Sequence, residues 1–198
     1  KVELNKEILA TLQAGNNIIS SKQVQELGFS KNLLSIYVRE GLLVRIRQGF
    51  YTLPDSIEDD MYTLSLSSPK IVFSHQSALY LNGISDRTPF EHIITMPSDT
   101  RIPSSLKGKC ICHYVKPELY NFGLEQRKTI FGNTVNCYNS ERTICDLVRS
   151  RSQIDEETFL AGIKNYAQSK NKDLKLLGSY ADKFHVLPKV RDFLGVLV

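Results

Sequence analysis

The sequence predicts an α+β chain: a small helical head closed by a hairpin, then a mixed α+β domain that ends in helices. Three observations predict it. Apolar residues recur at helical spacing through the first forty residues, and the period changes to two over 43–53. Strand-like runs between residues 70 and 138 then give way to capped helical segments from Ser140 onward.

The elements follow in order. Leu4, Ile8, Leu9 and Leu12 make residues 2–14 an amphipathic helix, broken by Gly15-Asn16-Asn17. Hydroxyls at Ser20 and Ser21 suit the start of a second helix, and Gly28 suits its end because glycine takes the left-handed conformation without strain. Ser30 is placed to cap a third helix, Lys31 to Glu40, which Gly41 stops in the same way. Leu43 to Arg47 alternates at period two, Gln48-Gly49 supplies a turn, and Phe50 to Leu53 returns. Helix, glycine turn, helix, basic hairpin is the order of a winged helix-turn-helix, predicted over 1–54. Pro54 to Asp60 is an acidic, proline-led joint, so 55–60 is the predicted linker and 61–198 the second domain.

In that domain a short helix, Met61 to Ser67, precedes a strand at Lys70 to Phe73. Ser74 is placed to cap a helix from His75 to Asn82. Strands follow at Glu91 to Met96 and Lys109 to Lys116, then a hairpin of Glu125 to Ile130 with Thr134 to Tyr138. Ser140 is placed to cap Glu141 to Ser150. Asp155 and Asp173 open two further helices, and Pro188 suits the first turn of a last one.

Composition bounds the function. At 198 residues, with 41% hydrophobic and 23% charged residues, the chain can bury a real core and is not of disordered type. No apolar run approaches the length of a membrane span, and a cytoplasmic protein is predicted. The net charge of +4 is unevenly spread: +3 over 1–54, −4 over 55–95 and +5 over 96–198. The basic ends can face phosphates, which the acidic middle repels. Cys110, Cys112, Cys137 and Cys145, with His113 nearby, do not reproduce paired zinc-ligand spacings, so reduced thiols are predicted and no metal or cofactor.

On the third helix, Phe29, Leu33, Leu34, Tyr37 and Val38 share one face and are predicted core. Lys31, Asn32, Ser35, Ile36 and Arg39 face outward. Asn32 can pair bidentately with adenine, Arg39 can reach guanine or phosphate, and Ile36 can lie against a thymine methyl. Lys22 and Gln23 start the preceding helix, where phosphate is attracted. Arg45 and Arg47 share the face of the hairpin opposite Val44 and Ile46, with Gln48 at its turn, and complete the candidate contacts to double-stranded DNA.

The whole chain resembles the AbiEi family of type IV antitoxins. The resemblance rests on Gly41-Leu42-Leu43-Val44-Arg45-Ile46-Arg47-Gln48-Gly49-Phe50-Tyr51, on Phe73-Ser74-His75-Gln76-Ser77-Ala78-Leu79-Tyr80-Leu81-Asn82-Gly83-Ile84 with Pro89 after it, and on Ser140-Glu141-Arg142-Thr143-Ile144-Cys145-Asp146-Leu147. It implies a protein that counteracts a nucleotidyltransferase toxin of AbiEii type without a tight complex. It also implies repression of its own operon through promoter inverted repeats, with the antitoxic activity in the C-terminal domain, in systems that arrest growth during phage infection.

Taken by themselves, these downstream residues read as structural. Ser74 and Ser140 are helix caps, His75 a first-turn residue, and Arg142 with Asp146 an ordinary helical ion pair. Two other functions fit the pattern. A nuclease needs clustered carboxylates, and the strands supply few: Glu91 opens one, Lys109 to Lys116 holds none, and Glu125-Gln126-Arg127-Lys128 lacks a nearby acid. No catalytic residues are therefore predicted, and the chain is not read as an enzyme. A plain repressor with a sensing or oligomerising C-terminal domain is the other alternative. The series Lys164, Lys170, Lys172, Lys175, Lys183, Lys189 and Arg191 is read as solvated helix faces.

Overall fold

A computed structural model describes residues 2–195 and divides the chain into two compact units, Lys1–Thr63 and Leu64–Val198. The first holds three helices and a small sheet. Asn5 caps α1 (Lys6–Ala14) by accepting from the Glu7 amide at 2.8 Å, and Ile8 and Leu12 are its buried residues. The chain then turns back through Asn16 and Asn17, both with positive φ, into β1 (Ile18–Ser20). This strand was hidden in the sequence because three residues next to an Asn-Asn break carry no period.

Ser20 caps α2 (Ser21–Glu26) in a reciprocal box with Gln23, whose Oε1 accepts from the Ser20 amide at 2.8 Å. Gly28 at φ +89° turns the chain, and Ser30 caps α3 (Lys31–Arg39). Strands β2 (Val44–Arg47) and β3 (Phe50–Thr52) form the hairpin, and β1 joins it to give an antiparallel sheet of order β1-β3-β2. Ile8, Leu12, Ile19, Val24, Leu34, Tyr37 and Leu43 make the core. Truncating one such fully buried leucine to alanine costs about 2–5 kcal/mol.

Two expectations need correction. Val38, assigned to the core face of α3, is 37% exposed, whereas Ile36, assigned to the outer face, is half-buried. The hairpin does not keep strict alternation either. Its register shifts between Arg45 and Arg47, which pair with the adjacent residues Tyr51 and Phe50, so Ile46 is a bulge. Arg45 is exposed and Arg47 is half-buried, so they do not share one open face.

Helix α4 (Asp60–Ser65) contains the division between the units. The second unit is built on a five-stranded mixed sheet of order β6-β5-β4-β8-β7. Its strands are β4 (Val72–Phe73), β5 (Ile93–Pro97), β6 (Ile111–Val115), β7 (Leu124–Lys128) and β8 (Thr134–Tyr138). The pair β4/β8 and the pair β5/β6 are parallel; β4/β5 and β7/β8 are antiparallel. Helix α5 (His75–Leu81) follows β4, and α6 (Pro117–Tyr120) follows β6.

The centre of the unit is α7 (Ser140–Arg149), buried continuously from Glu141 to Val148. It packs against α5 and against α8 (Glu156–Gln168), α9 (Leu174–Lys183) and α10 (Leu187–Gly195). Neighbours on all sides explain why it carries no solvent face. Asp155 and Asp173 cap α8 and α9 as their positions predict. The cap of α7 is Asn139 rather than Ser140: its side chain accepts from the Arg142 amide at 3.0 Å. Ser74 makes no capping bond either, and its hydroxyl is engaged elsewhere. All four cysteines are free thiols, and burial pushes Cys137 and Cys145 up to about 12. Among the described residues no helix is long and apolar enough to cross a membrane.

Candidate nucleic-acid interface and a buried polar centre

The head presents an open cleft of about 460 Å³ where the starts of α2 and α3 meet the hairpin. Lys22, Lys31, Arg45 and Gln48 line it together with Gln25, Phe50 and Tyr51. Local geometry builds this meeting. The Ser21 amide donates to the Gly49 carbonyl at 2.8 Å, tying the hairpin turn to the first residue of α2. Gly49 takes φ +79°, and a Cβ there would come 3.6 Å from the Ser21 hydroxyl. The wing is therefore fixed against the helix whose start carries Lys22.

The other candidates lie outside the cleft. Asn32, Ser35 and Arg39 are exposed along α3, with Ile36 half-buried between them. Arg39 lies 3.5 Å from Glu40, and Lys22 lies 3.8 Å from Glu26; both pairs are solvent-facing and weak. Gln23 is exposed, but its carbonyl oxygen is held by Ser20, which leaves its amide N–H groups to meet a ligand. Arg47 points elsewhere: its Nε donates to the Thr63 carbonyl at 2.6 Å. Gln25, Phe50 and Tyr51 are cleft residues the sequence did not single out, since nothing in their spacing separates them from surface and core.

The second unit contains a buried polar centre. Arg142 is fully buried, and its Nε lies 3.1 Å from both carboxylate oxygens of Asp146. Its Nη1 donates to the Leu119 and Phe122 carbonyls, each at 2.8 Å. The guanidinium is sandwiched between the Tyr138 ring at 4.0 Å and the Phe184 ring at 4.2 Å. Gly123 permits this approach, because a Cβ there would come 2.6 Å from Arg142 Cβ. The pair read as an ordinary helical ion pair is thus a desolvated one, and the sequence hid this because four-residue spacing is the same on an exposed and on a buried helix.

Beside it His75 and His113 stack with ring centroids 4.0 Å apart. His75 takes φ +51°, its Nδ1 lies 2.9 Å from Ser74 Oγ, and its Nε2 lies 2.9 Å from Ser150 Oγ. The Thr95 hydroxyl donates to Ser74 Oγ at 2.7 Å. Burial holds His75 down at about 4 against the opposing pull of Asp146, with His113, Arg142 and Arg149 adding to the lowering. Burial lowers His113 as well. His75 is therefore more than a first-turn residue. Its partners His113 and Ser150 come from distant segments, so no local motif announces them. No cluster of His, Cys, Asp and Glu that could hold a metal is present among the described residues.

The comparisons with known proteins bear on the head. A family model described as "Transcriptional regulator, AbiEi antitoxin" matches residues 6–54. The head resembles the AbiEi antitoxin regulators. The match runs from the start of α1 to just beyond β3, contains all ten candidate DNA contacts, and bears out over residues 6–54 the AbiEi likeness read from the sequence. The AbiEi family so described is one of regulators and antitoxins. No curated protein matches the sequence. Among solved structures, the RV2827C protein from Mycobacterium tuberculosis is similar with a TM-score of 0.64 and 12% identity, over 95% of this chain and 79% of that one. At that identity the likeness concerns fold alone.

Proposed function

We propose that this chain is the antitoxin of a type IV toxin–antitoxin pair, acting in the cytoplasm and repressing its own operon. Residues 1–54 form a winged helix-turn-helix that binds inverted repeats in the promoter. Residues 61–198, beyond the 55–60 joint, oppose a nucleotidyltransferase toxin of AbiEii type without a tight complex. The observation that carries this reading is the meeting of Lys22, Lys31, Arg45 and Gln48 at one open cleft, inside the segment matched by a regulator family.

In this reading α3 enters the major groove with Asn32, Ser35 and Arg39 toward base edges. The amino-terminal turn of α2 brings Lys22 and the Gln23 amide to one phosphate, while Arg45 and Gln48 at the wing reach another. Arg47 serves from behind: by holding the Thr63 carbonyl it braces the strand that carries Arg45.

The test has two arms. The full chain is titrated against its own upstream DNA and a scrambled duplex in gel shifts, and it is co-produced with the neighbouring gene product in growth assays. Preference for the upstream repeat together with growth rescue supports the reading. Equal binding to both duplexes removes the operator role, and a failure to rescue removes the antitoxin role.

A further inference from the structure

We infer that the cavity of about 200 Å³ beside the stacked histidines binds a phosphate group, as the free ion or as the terminal phosphate of a nucleotide. His75, His113, Arg142, Asp146, Arg149 and Ser150 line it. It lies wholly within the second unit and is independent of whether the head binds DNA.

The hydrogen-bond chain makes this cavity donor-rich. Thr95 donates to Ser74 Oγ, so the Ser74 proton needs another acceptor, and His75 Nδ1 at 2.9 Å is in reach. A neutral imidazole that accepts at Nδ1 carries its proton on Nε2, and that proton goes to Ser150 Oγ at 2.9 Å. The Ser150 hydroxyl proton is then left for the cavity. Burial, which keeps His75 neutral, holds the ring to a single proton, as one donating and one accepting ring nitrogen require.

Charge points the same way. Asp146 is the acid of the site, and it is matched by Arg142 at 3.1 Å and Arg149 at 3.5 Å, which leaves one positive charge in excess. Arg142, fully buried, also has its Nη2 without a hydrogen-bond partner among the described residues. An unpaired guanidinium N–H in such a place costs free energy unless an acceptor arrives. The Arg149 side chain is 36% exposed and offers a planar fork at the edge of the site, suited to two oxygens of one phosphate. The space is smaller than pockets that enclose drug-sized ligands, so it takes the phosphate and leaves any attached nucleoside outside.

The experiment uses the full chain and follows the His75 and His113 imidazole nitrogens by NMR during titration with inorganic phosphate, 5′-AMP and adenosine. The free protein should show His75 as the Nε2–H tautomer. Phosphate and AMP should shift both histidines saturably at millimolar concentration or below, and adenosine should not. AMP tighter than phosphate assigns the site to a nucleotide-borne group; phosphate equal or tighter assigns it to the free ion. Arg149→Gln, on a half-exposed side chain, and Ser150→Ala should each weaken binding by about tenfold, with unfolding midpoints in phosphate-free buffer checking that both variants fold. Absence of any histidine shift, or binding that both folded variants leave unchanged, overturns the inference.

Discussion

The imidazole of His75 lies nearly parallel to that of His113, at 19° between planes and 4.0 Å between centroids. Rings this close disfavour a second positive charge, and Arg142 and Arg149 press the same way while Asp146 alone pulls against them. The stack is therefore a neutral one, held by burial.

That neutrality makes the second unit acid-sensitive. His75 has a folded value of about 4 against an ordinary 6.5, so the unfolded chain takes up its proton first as pH falls. Stability is fully present above about pH 6.5 and is lost progressively toward pH 4, by on the order of 3 kcal/mol. The four histidines of the chain, His75, His92, His113 and His185, all lie in the second unit, so the head contributes no histidine to this slope. Urea unfolding at a series of pH values should show the loss, and His75→Asn should flatten it. Equal slopes for the two proteins would contradict the assignment.

Arg142 and Asp146 should be costly to separate and cheaper to remove together. Arg142→Met leaves a buried carboxylate with only Arg149 at 3.5 Å, and a loss of about 3–5 kcal/mol is expected by chemical denaturation. Adding Asp146→Leu should recover part of that loss. If the double variant is as unstable as the two single losses added, the pair is not coupled as described.

The two wing arginines should behave differently. Arg45→Ala should leave the unfolding midpoint unchanged and reduce the salt slope of DNA binding by about one unit per lost phosphate contact. Arg47→Ala releases the Thr63 carbonyl, so it should lower the midpoint of the head first. A normal midpoint and a reduced salt slope for Arg47→Ala would place it on the DNA instead.

The sequence disclosed what local chemistry controls. Ser20, Ser30, Asp155 and Asp173 cap the helices they precede, and β7 pairs with β8 as the predicted hairpin, antiparallel and in unbroken register. It missed what depends on distant partners. The three residues of β1 are a strand only because β3 pairs with them, and the bulge at Ile46 has no glycine to mark it. Ser74 fits the pattern of a cap, but Thr95 and the His75 ring claim its hydroxyl. His75 and Ser150 meet across 75 positions, a closure that period and propensity cannot register.

The central claim is that α3 reads operator DNA beside a basic wing, and Asn32→Ala tests it most directly. Binding of the full chain is measured by fluorescence anisotropy on the upstream repeat and on single-base variants of it. The account predicts a loss of about 1–3 kcal/mol confined to one base position in each half-site, with binding to unrelated duplex unchanged. A loss of the same size on every duplex, or no loss on any, would contradict it.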